Sequence, residues 1–151
     1  AVDLGGGDDL LDLSTGSLID GLADGGDGFD TIEITGEVTL GQNVNFESLL
    51  LNADALLTIA FEFQIGQLLG ASIDGGNVTN IAGNGFNFYY DGLDAANAYL
   101  GGLTYQLAGG GQLISSTTQV AVPAPAAMAI FVPALFLLAG IRRRQAGVRA
   151  A

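Results

Sequence analysis

The sequence predicts an all-β protein of short strands, arranged as a β-solenoid or β-roll and followed by one C-terminal transmembrane helix. Three observations predict this arrangement: apolar and polar residues alternate with a period of two, Gly and Asn separate the short apolar segments, and a long uncharged segment lies near the C-terminus. Gly corners and Asn-rich turns favour a solenoid. A β-sandwich is the alternative, because the strands follow one another at no fixed repeat length.

Alternation is clearest in two segments, and each predicts a strand with one buried face. In residues 31–40 apolar side chains alternate with Thr and Glu, and Gly36 marks a bulge or a turn. In the second segment, one face carries Leu57, Ile59, Phe61, Phe63 and Ile65. The shorter strand candidates are Phe46–Leu51, Phe86–Tyr90, Leu103–Gln106 and Gln112–Ile114. At residues 94–100 a short helix competes with a strand.

Charge is distributed very unevenly along the chain. The 16 Asp and Glu residues lie between Asp3 and Asp94, whereas the 4 basic residues are Arg142, Arg143, Arg144 and Arg149. Residues 1–141 therefore cannot neutralise their carboxylates with internal ion pairs, so these groups must stay in water or bind metal ions. The lack of a basic patch argues against nucleic acid as a partner.

The chain has no Cys and no His. Disulfides, thiolate metal sites and ordinary zinc or iron sites are therefore excluded. Catalytic triads that use His as the general base are excluded for the same reason.

Two Asp- and Gly-rich turns stand near the N-terminus. Residues 25–33 match the nonapeptide G-G-x-G-x-D-x-U-x at every fixed position, and residues 4–12 repeat it with Leu4 in place of the first Gly. Glycines permit a tight turn with inward-facing carbonyls, and Asp adds a carboxylate, which together suit Ca²⁺. The candidate metal-binding residues are Gly5, Gly7, Asp9, Gly25, Gly26, Asp27, Gly28 and Asp30.

Residues 4–33 resemble the RTX, or hemolysin-type, calcium-binding repeats. The resemblance implies a parallel β-roll that calcium folds after export, with neighbouring turns sharing the ion. The spacing of Asp9 and Asp30 departs from it, because it is not a multiple of nine, and residues 14–24 do not keep the repeat. A degenerate third copy at residues 83–88 has Asn87 where the motif has Asp. The alternative is an acidic Gly-rich loop without metal.

The C-terminal region predicts a membrane segment. Residues 120–141 carry no charge, and three arginines follow at once. A helix over residues 126–141 would be about 24 Å long, which snorkelling arginines and local thinning can fit to the bilayer. The arginines place residues 142–151 in the cytoplasm and the acidic part outside. The alternative, a buried core helix, would need a larger core than this β-protein offers.

Residues 120–151 resemble a PEP-CTERM sorting signal. The resemblance is carried by three elements in order, namely the V-P-A-P string at residues 122–125, the apolar segment and the basic cluster, although Ala124 stands where the family has Glu. It implies that an exosortase, a membrane-embedded Cys transpeptidase, cuts the chain near the Pro motif. The product would reach the cell surface of a Gram-negative, biofilm-forming bacterium. The sorting residues are Val122, Pro123, Pro125, Arg142, Arg143 and Arg144.

The expected organisation is therefore calcium-binding turns (1–33), a β-rich ectodomain (31–119), a sorting motif (120–125), a transmembrane helix (126–141) and a basic tail (142–151). The expected function is a non-enzymatic, calcium-stabilised surface or biofilm protein. Its expected partners are an exosortase, the membrane and exopolysaccharide.

Two alternative functions stay open at this stage. One is an anchored polysaccharide-active enzyme, although no motif selects a catalytic pair from Glu33, Glu37, Glu47 and Glu62. Four tyrosines could form a carbohydrate-stacking platform, but so few are more typical of packing: Tyr89, Tyr90, Tyr99 and Tyr105. The other alternative is an uncleaved single-pass membrane protein.

Overall fold

The computed structural model describes residues 1–117, which form a parallel β-solenoid with a short 3₁₀ helix. The expected all-β solenoid is confirmed, and this part of the chain forms no sandwich. Several predictions lie outside the described residues: the sorting motif at Val122, Pro123 and Pro125, the transmembrane helix at residues 126–141, and the arginines Arg142, Arg143 and Arg144.

The first three coils each contribute three strands, one to each of three sheets. These strands are β1 (Val2–Asp3), β2 (Leu10–Leu13), β3 (Leu18–Ile19), β4 (Ala23–Asp24), β5 (Thr31–Ile34), β6 (Glu37–Leu40), β7 (Asn43–Val44), β8 (Ser48–Leu51) and β9 (Leu56–Ile59). Each strand pairs in parallel with its equivalent in the next coil, for example β2 with β5 and β5 with β8. The solenoid therefore grows by stacking equivalent strands.

The remaining strands extend two of these sheets and close the C-terminal end. They are β10 (Phe63–Ile65), β11 (Gln67–Leu69), β12 (Ile73–Asp74), β13 (Asn77–Ala82), β14 (Phe88–Asp91), β15 (Tyr105–Ala108) and β16 (Gln112–Ser116). The three sheets run β1-β4-β7, β11-β8-β5-β2, and β10-β14-β16-β15-β13-β9-β6-β3. The antiparallel pair β15–β16 joins two parallel parts of the largest sheet, so this sheet wraps around the C-terminal end.

Coil length varies along the solenoid, and this variation hides the repeat in the sequence. In the first coil, Leu10 pairs with Thr31, a step of 21 residues. In the next coil of the same sheet, Asp30 and Glu47 occupy equivalent positions only 17 residues apart. Corners of different length absorb the difference, because residues in a corner need not keep the strand register.

Aliphatic and aromatic side chains stack inside the coils and form one core. In one column Ile32, Leu49 and Leu68 lie on successive strands, and each is fully buried. Towards the C-terminal end the rings of Phe63 and Phe88 stack with centroids 4.8 Å apart. Each such side chain contributes about 1.5–3 kcal/mol of transfer free energy, so the core stabilises all coils together.

Each of the two alternating segments forms two strands joined by a corner. Residues 31–40 form β5 and β6 with a corner at Thr35–Gly36, which agrees with the turn option for Gly36. Residues 57–65 form β9 and β10, separated by a corner at residues 60–62. The alternation keeps its phase across this corner, so Leu57, Ile59, Phe63 and Ile65 are buried as expected, whereas Phe61 is 41% exposed.

Some elements carry too weak a pattern to be predicted. Strands β1 to β4 lie in the Asp- and Gly-rich residues 1–30, and β13 begins in a Gly-Gly-Asn turn. At residues 94–100, where the sequence leaves a helix and a strand as alternatives, the structure has a 3₁₀ helix at Ala95–Leu100 with Asp94 as its N-cap. Among residues 1–117, no helix is both long and apolar enough to cross a membrane.

Candidate functional site

The two Asp- and Gly-rich turns lie directly on top of each other, because their spacing equals one coil. Gly6 and Asp27 form a parallel bridge between the turns. Asp27 donates its N–H to the Gly5 carbonyl at 3.0 Å and accepts the Gly7 N–H at 2.7 Å. The 21-residue spacing, which breaks a nine-residue repeat, is therefore the spacing that stacks the motifs.

The stacked turns have matching backbone conformations. Gly5 and Gly26 have φ of +96° and +99°, and Gly7 and Gly28 have φ of +117° and +148°. Such values favour glycine, because a Cβ clashes with the backbone there. A Cβ on Gly26 would also lie 1.7 Å from the Gly5 carbonyl oxygen. Glycine is thus required both for the turn and for close stacking.

Three acidic residues form a column at this corner, which we call the acid column: Asp9, Asp30 and Glu47. Each occupies the position before a strand of one sheet, namely β2, β5 and β8. Asp30 Oδ1 accepts the Asp9 N–H at 2.8 Å, and Glu47 Oε2 accepts the Asp30 N–H at 2.7 Å. One oxygen of each accepting carboxylate therefore binds the backbone of the preceding coil.

Within residues 1–117, the second oxygen of each carboxylate in the acid column is buried and has no hydrogen-bond partner. These atoms are Asp9 Oδ2, Asp30 Oδ2 and Glu47 Oε1. Asp30 is 0% exposed and Glu47 is 3% exposed, whereas Asp9 is half-buried. Buried carboxylate oxygens are costly unless a proton or a cation compensates them, and no Lys or Arg precedes Arg142.

A main-chain carbonyl faces the same corner. A Cβ on Gly25 would lie 2.1 Å from the Asn45 carbonyl oxygen and 2.8 Å from Asp30 Oδ2. Gly25 is therefore needed to let these two oxygens approach one side of its Cα. Asn45 has a positive φ of 55° and donates its side-chain N–H to Asp24 Oδ1 at 2.8 Å, which fixes the conformation of this turn.

A second column of similar design uses mainly amides. Glu62 and Asn87 precede β10 and β14, and Gln112 is the first residue of β16. Glu62 Oε1 accepts the Asn87 N–H at 3.2 Å, and Asn87 Oδ1 accepts the Gln112 N–H at 3.0 Å. Asn87 also donates to the Tyr89 hydroxyl. No atom of this column is among the buried, unpaired side-chain atoms of residues 1–117, which are Asn43 Oδ1 and the three oxygens of the acid column.

The carboxylate oxygens of the acid column are of the type that hard cations bind, but they are too few to fill the coordination shell of one ion. Among residues 1–117, no group of three or more acidic side chains is close enough to hold a single metal ion. Ca²⁺ takes about six to eight oxygens, so carboxylates, main-chain carbonyls and water would have to share the coordination. The structure places Asp9 and Asp30 together, whereas the Asp27 side chain is exposed on the outside of the turn.

The sequence pattern misses two residues of this corner, Glu47 and Asn45. Glu47 follows no Gly-rich motif and lies 17 residues after Asp30, so no repeat selects it. The available signal is the acidic residue immediately before an apolar strand, which Glu47 shares with Asp9 and Asp30. It can be used only when the coil boundaries are known.

A groove of about 550 Å³ lies over β3, β6, β9 and β13. Its lining combines hydroxyl groups with exposed leucines and, within residues 1–117, a single carboxylate, that of Glu37. Glycoside hydrolysis ordinarily needs two carboxylates that face one another, and Glu33, Glu47 and Glu62 lie elsewhere. Glu37 is therefore the one of these four sequence candidates that lines the groove.

The tyrosines hold the C-terminal end of the solenoid together. The hydroxyls of Tyr90 and Tyr105 donate to the carbonyls of Leu103 and Leu100, and Tyr99 donates to Leu68 O at 2.8 Å. Burial raises the pKa of the Tyr90 and Tyr99 hydroxyls above the ordinary value of 10.0. These contacts are those of structural side chains.

Comparison with protein-family models, with curated proteins and with solved structures returned no match for this chain.

Proposed function

We propose that the chain is a non-enzymatic, calcium-stabilised cell-surface or extracellular-matrix protein, exported and processed through a C-terminal exosortase sorting signal. The observation that carries the proposal is the acid column, which holds buried, unpaired carboxylate oxygens in a region without any basic side chain. A bound cation is the simplest compensation, and calcium is abundant outside cells.

The solenoid fold supports a structural or adhesive role. Stacked coils present long regular faces, and the described groove offers hydroxyls and a single carboxylate where a hydrolase would need a pair. The stacked Asp- and Gly-rich turns support calcium as the ligand, because carbonyl and carboxylate oxygens of neighbouring coils meet at one corner.

The calcium part is tested by thermal unfolding of the full chain in mild detergent, with and without 5 mM Ca²⁺. This concentration is roughly ten times the dissociation constant typical of extracellular calcium sites. We expect calcium to raise the melting temperature by about 5–10 °C. Asp30→Asn should remove most of this rise, because Asn keeps the acceptor for the Asp9 N–H but lacks the negative charge.

The matched control is Asp12→Asn, which makes the same chemical change at an exposed position of β2. This variant should respond to calcium as the unmodified chain does. An identical melting temperature with calcium and with a chelator would contradict the calcium proposal.

The sorting part is tested by the mass of the mature protein. The V-P-A-P string, the apolar segment and the arginines support cleavage near the Pro motif. We expect the mature protein from an exosortase-containing host to have an intact mass that lacks Arg142, Arg143 and Arg144. In the same host without the exosortase the full mass should remain, and a mature protein that retains the arginines would favour the uncleaved membrane protein.

A further inference from the structure

We propose a second cation site in this solenoid, between the second and third coils, formed by Glu47, the second oxygen of Asp30 and the Asn45 carbonyl. It rests on the calcium part of the proposed function but involves a different coil interface from the paired Asp- and Gly-rich turns. Two of its three oxygens belong to residues outside the nonapeptide motifs.

Asp30 and Glu47 each use one carboxylate oxygen for the preceding coil, which leaves the other oxygen for a second contact. Asp30 uses Oδ1 for the first coil, where it accepts the Asp9 N–H. Its other oxygen, Oδ2, lies on the side of Gly25 that faces the Asn45 carbonyl of the third coil. Glu47 uses Oε2 for the Asp30 N–H, which leaves Oε1 free of partners in the described chain.

Both carboxylates are buried. Asp30 and Glu47 are 0% and 3% exposed, so bulk water does not solvate their free oxygens. Two carboxylates on neighbouring coils repel each other across a medium of low polarity, and no basic side chain of residues 1–117 can offset this repulsion. A cation between them removes the repulsion and supplies the missing partners.

The three oxygens of this site indicate which class of cation it would bind. Two carboxylate oxygens and a carbonyl oxygen form a hard, anionic donor set with a charge of −2, which matches a divalent cation such as Ca²⁺. Mg²⁺ fits less well, because it keeps its waters and demands near-octahedral geometry. The neighbouring turn is already fixed by the Asp24 contact to Asn45, so the carbonyl is held in place before the ion binds.

The experiment titrates CaCl₂ into the chelator-treated full chain, kept in mild detergent, and counts bound ions by calorimetry. Glu47→Gln should bind one calcium ion fewer than the unmodified chain and keep the site that Asp9→Asn removes. Glu37→Gln is the matched control, because Glu37 is exposed, and it should bind as the unmodified chain does. Without calcium, Glu47→Gln should melt at a higher temperature, because Gln keeps the acceptor for Asp30 and removes a buried charge.

The outcomes separate this inference from the proposed function. Equal ion counts in the unmodified chain and in Glu47→Gln overturn the second site but leave the calcium turns intact. A chain that binds no calcium at all contradicts the calcium part of the proposed function, and with it the second site. If Glu47→Gln does not fold, Glu47→Asp serves instead: it should keep the ion count but bind about tenfold more weakly, and unchanged affinity overturns the inference.

Discussion

At the scale of single residues, Asn97 shows how one side chain can replace a missing strand. Among residues 1–117, strand β11 is the last of its sheet, so no strand of this part of the chain pairs with its outer edge. Asn97 accepts the Leu68 N–H at 2.8 Å and donates to the carbonyls of Gly66 and Asp91, both at 2.7 Å. The amide thereby satisfies main-chain groups that an exposed sheet edge would leave open to pairing with other chains.

We expect Asn97→Ala to lower the free energy of unfolding by about 2–4 kcal/mol, because it leaves buried main-chain groups without partners. Urea denaturation followed by circular dichroism measures the change. Asn77→Ala is the control, since the Asn77 side chain is exposed and, within residues 1–117, makes one long hydrogen bond of 3.4 Å, so it should change stability by less than about 0.5 kcal/mol. Equal losses in both variants would show that Asn97 does not act as an edge cap.

At the scale of elements, the corners decide the path of the chain, whereas the strands decide the core. Gly5 and Gly26 are equivalent positions of the stacked turns with almost the same φ, +96° and +99°. Around Gly5 an added Cβ meets no atom within 4 Å, but on Gly26 it would meet the Gly5 carbonyl at 1.7 Å. Glycine is therefore needed only for the backbone conformation at Gly5, whereas at Gly26 it is needed both for the conformation and for the close stacking of the coils.

This difference predicts unequal effects for two identical substitutions. Gly5→Ala should cost about 1–2 kcal/mol of unfolding free energy, because only the backbone conformation is strained. Gly26→Ala should cost a further ~2 kcal/mol, because the two coils must also separate. Thermal and urea unfolding of both variants in calcium-free buffer checks this, and equal costs would contradict the close stacking of the turns.

At the scale of the whole molecule, the sequence was enough to predict an all-β solenoid but not the route of the chain. In residues 31–40 and 57–65 the period-two pattern predicts the buried positions of the strands, because the alternation keeps its phase on both sides of each corner. A period-two pattern therefore does not show the corner at residues 60–62, and it predicts a core position for Phe61, which is 41% exposed. Strands of two residues, such as β1 and β4, are too short to show any period.

The candidate site was only half predictable for a related reason. The Gly-rich motif identified Asp9 and Asp30, because a tight turn leaves a strong signal in glycine spacing. Glu47 occupies the equivalent position in a shorter coil that needs no such turn, so its role depends on which strand pairs with which. Information of that kind lies in contacts between coils and not in any local pattern.

The position of β16 has a mechanical consequence. It is flanked by β14 and β15, and it is in register with β14 over four residue pairs. Tension applied through the polypeptide beyond residue 117 would enter the solenoid at this inner strand. Sliding it out would shear the bonds to both neighbours at once, whereas a terminal strand could be peeled away bond by bond. The hydrogen bonds from β16 to β14 and to β15 would therefore resist such tension together.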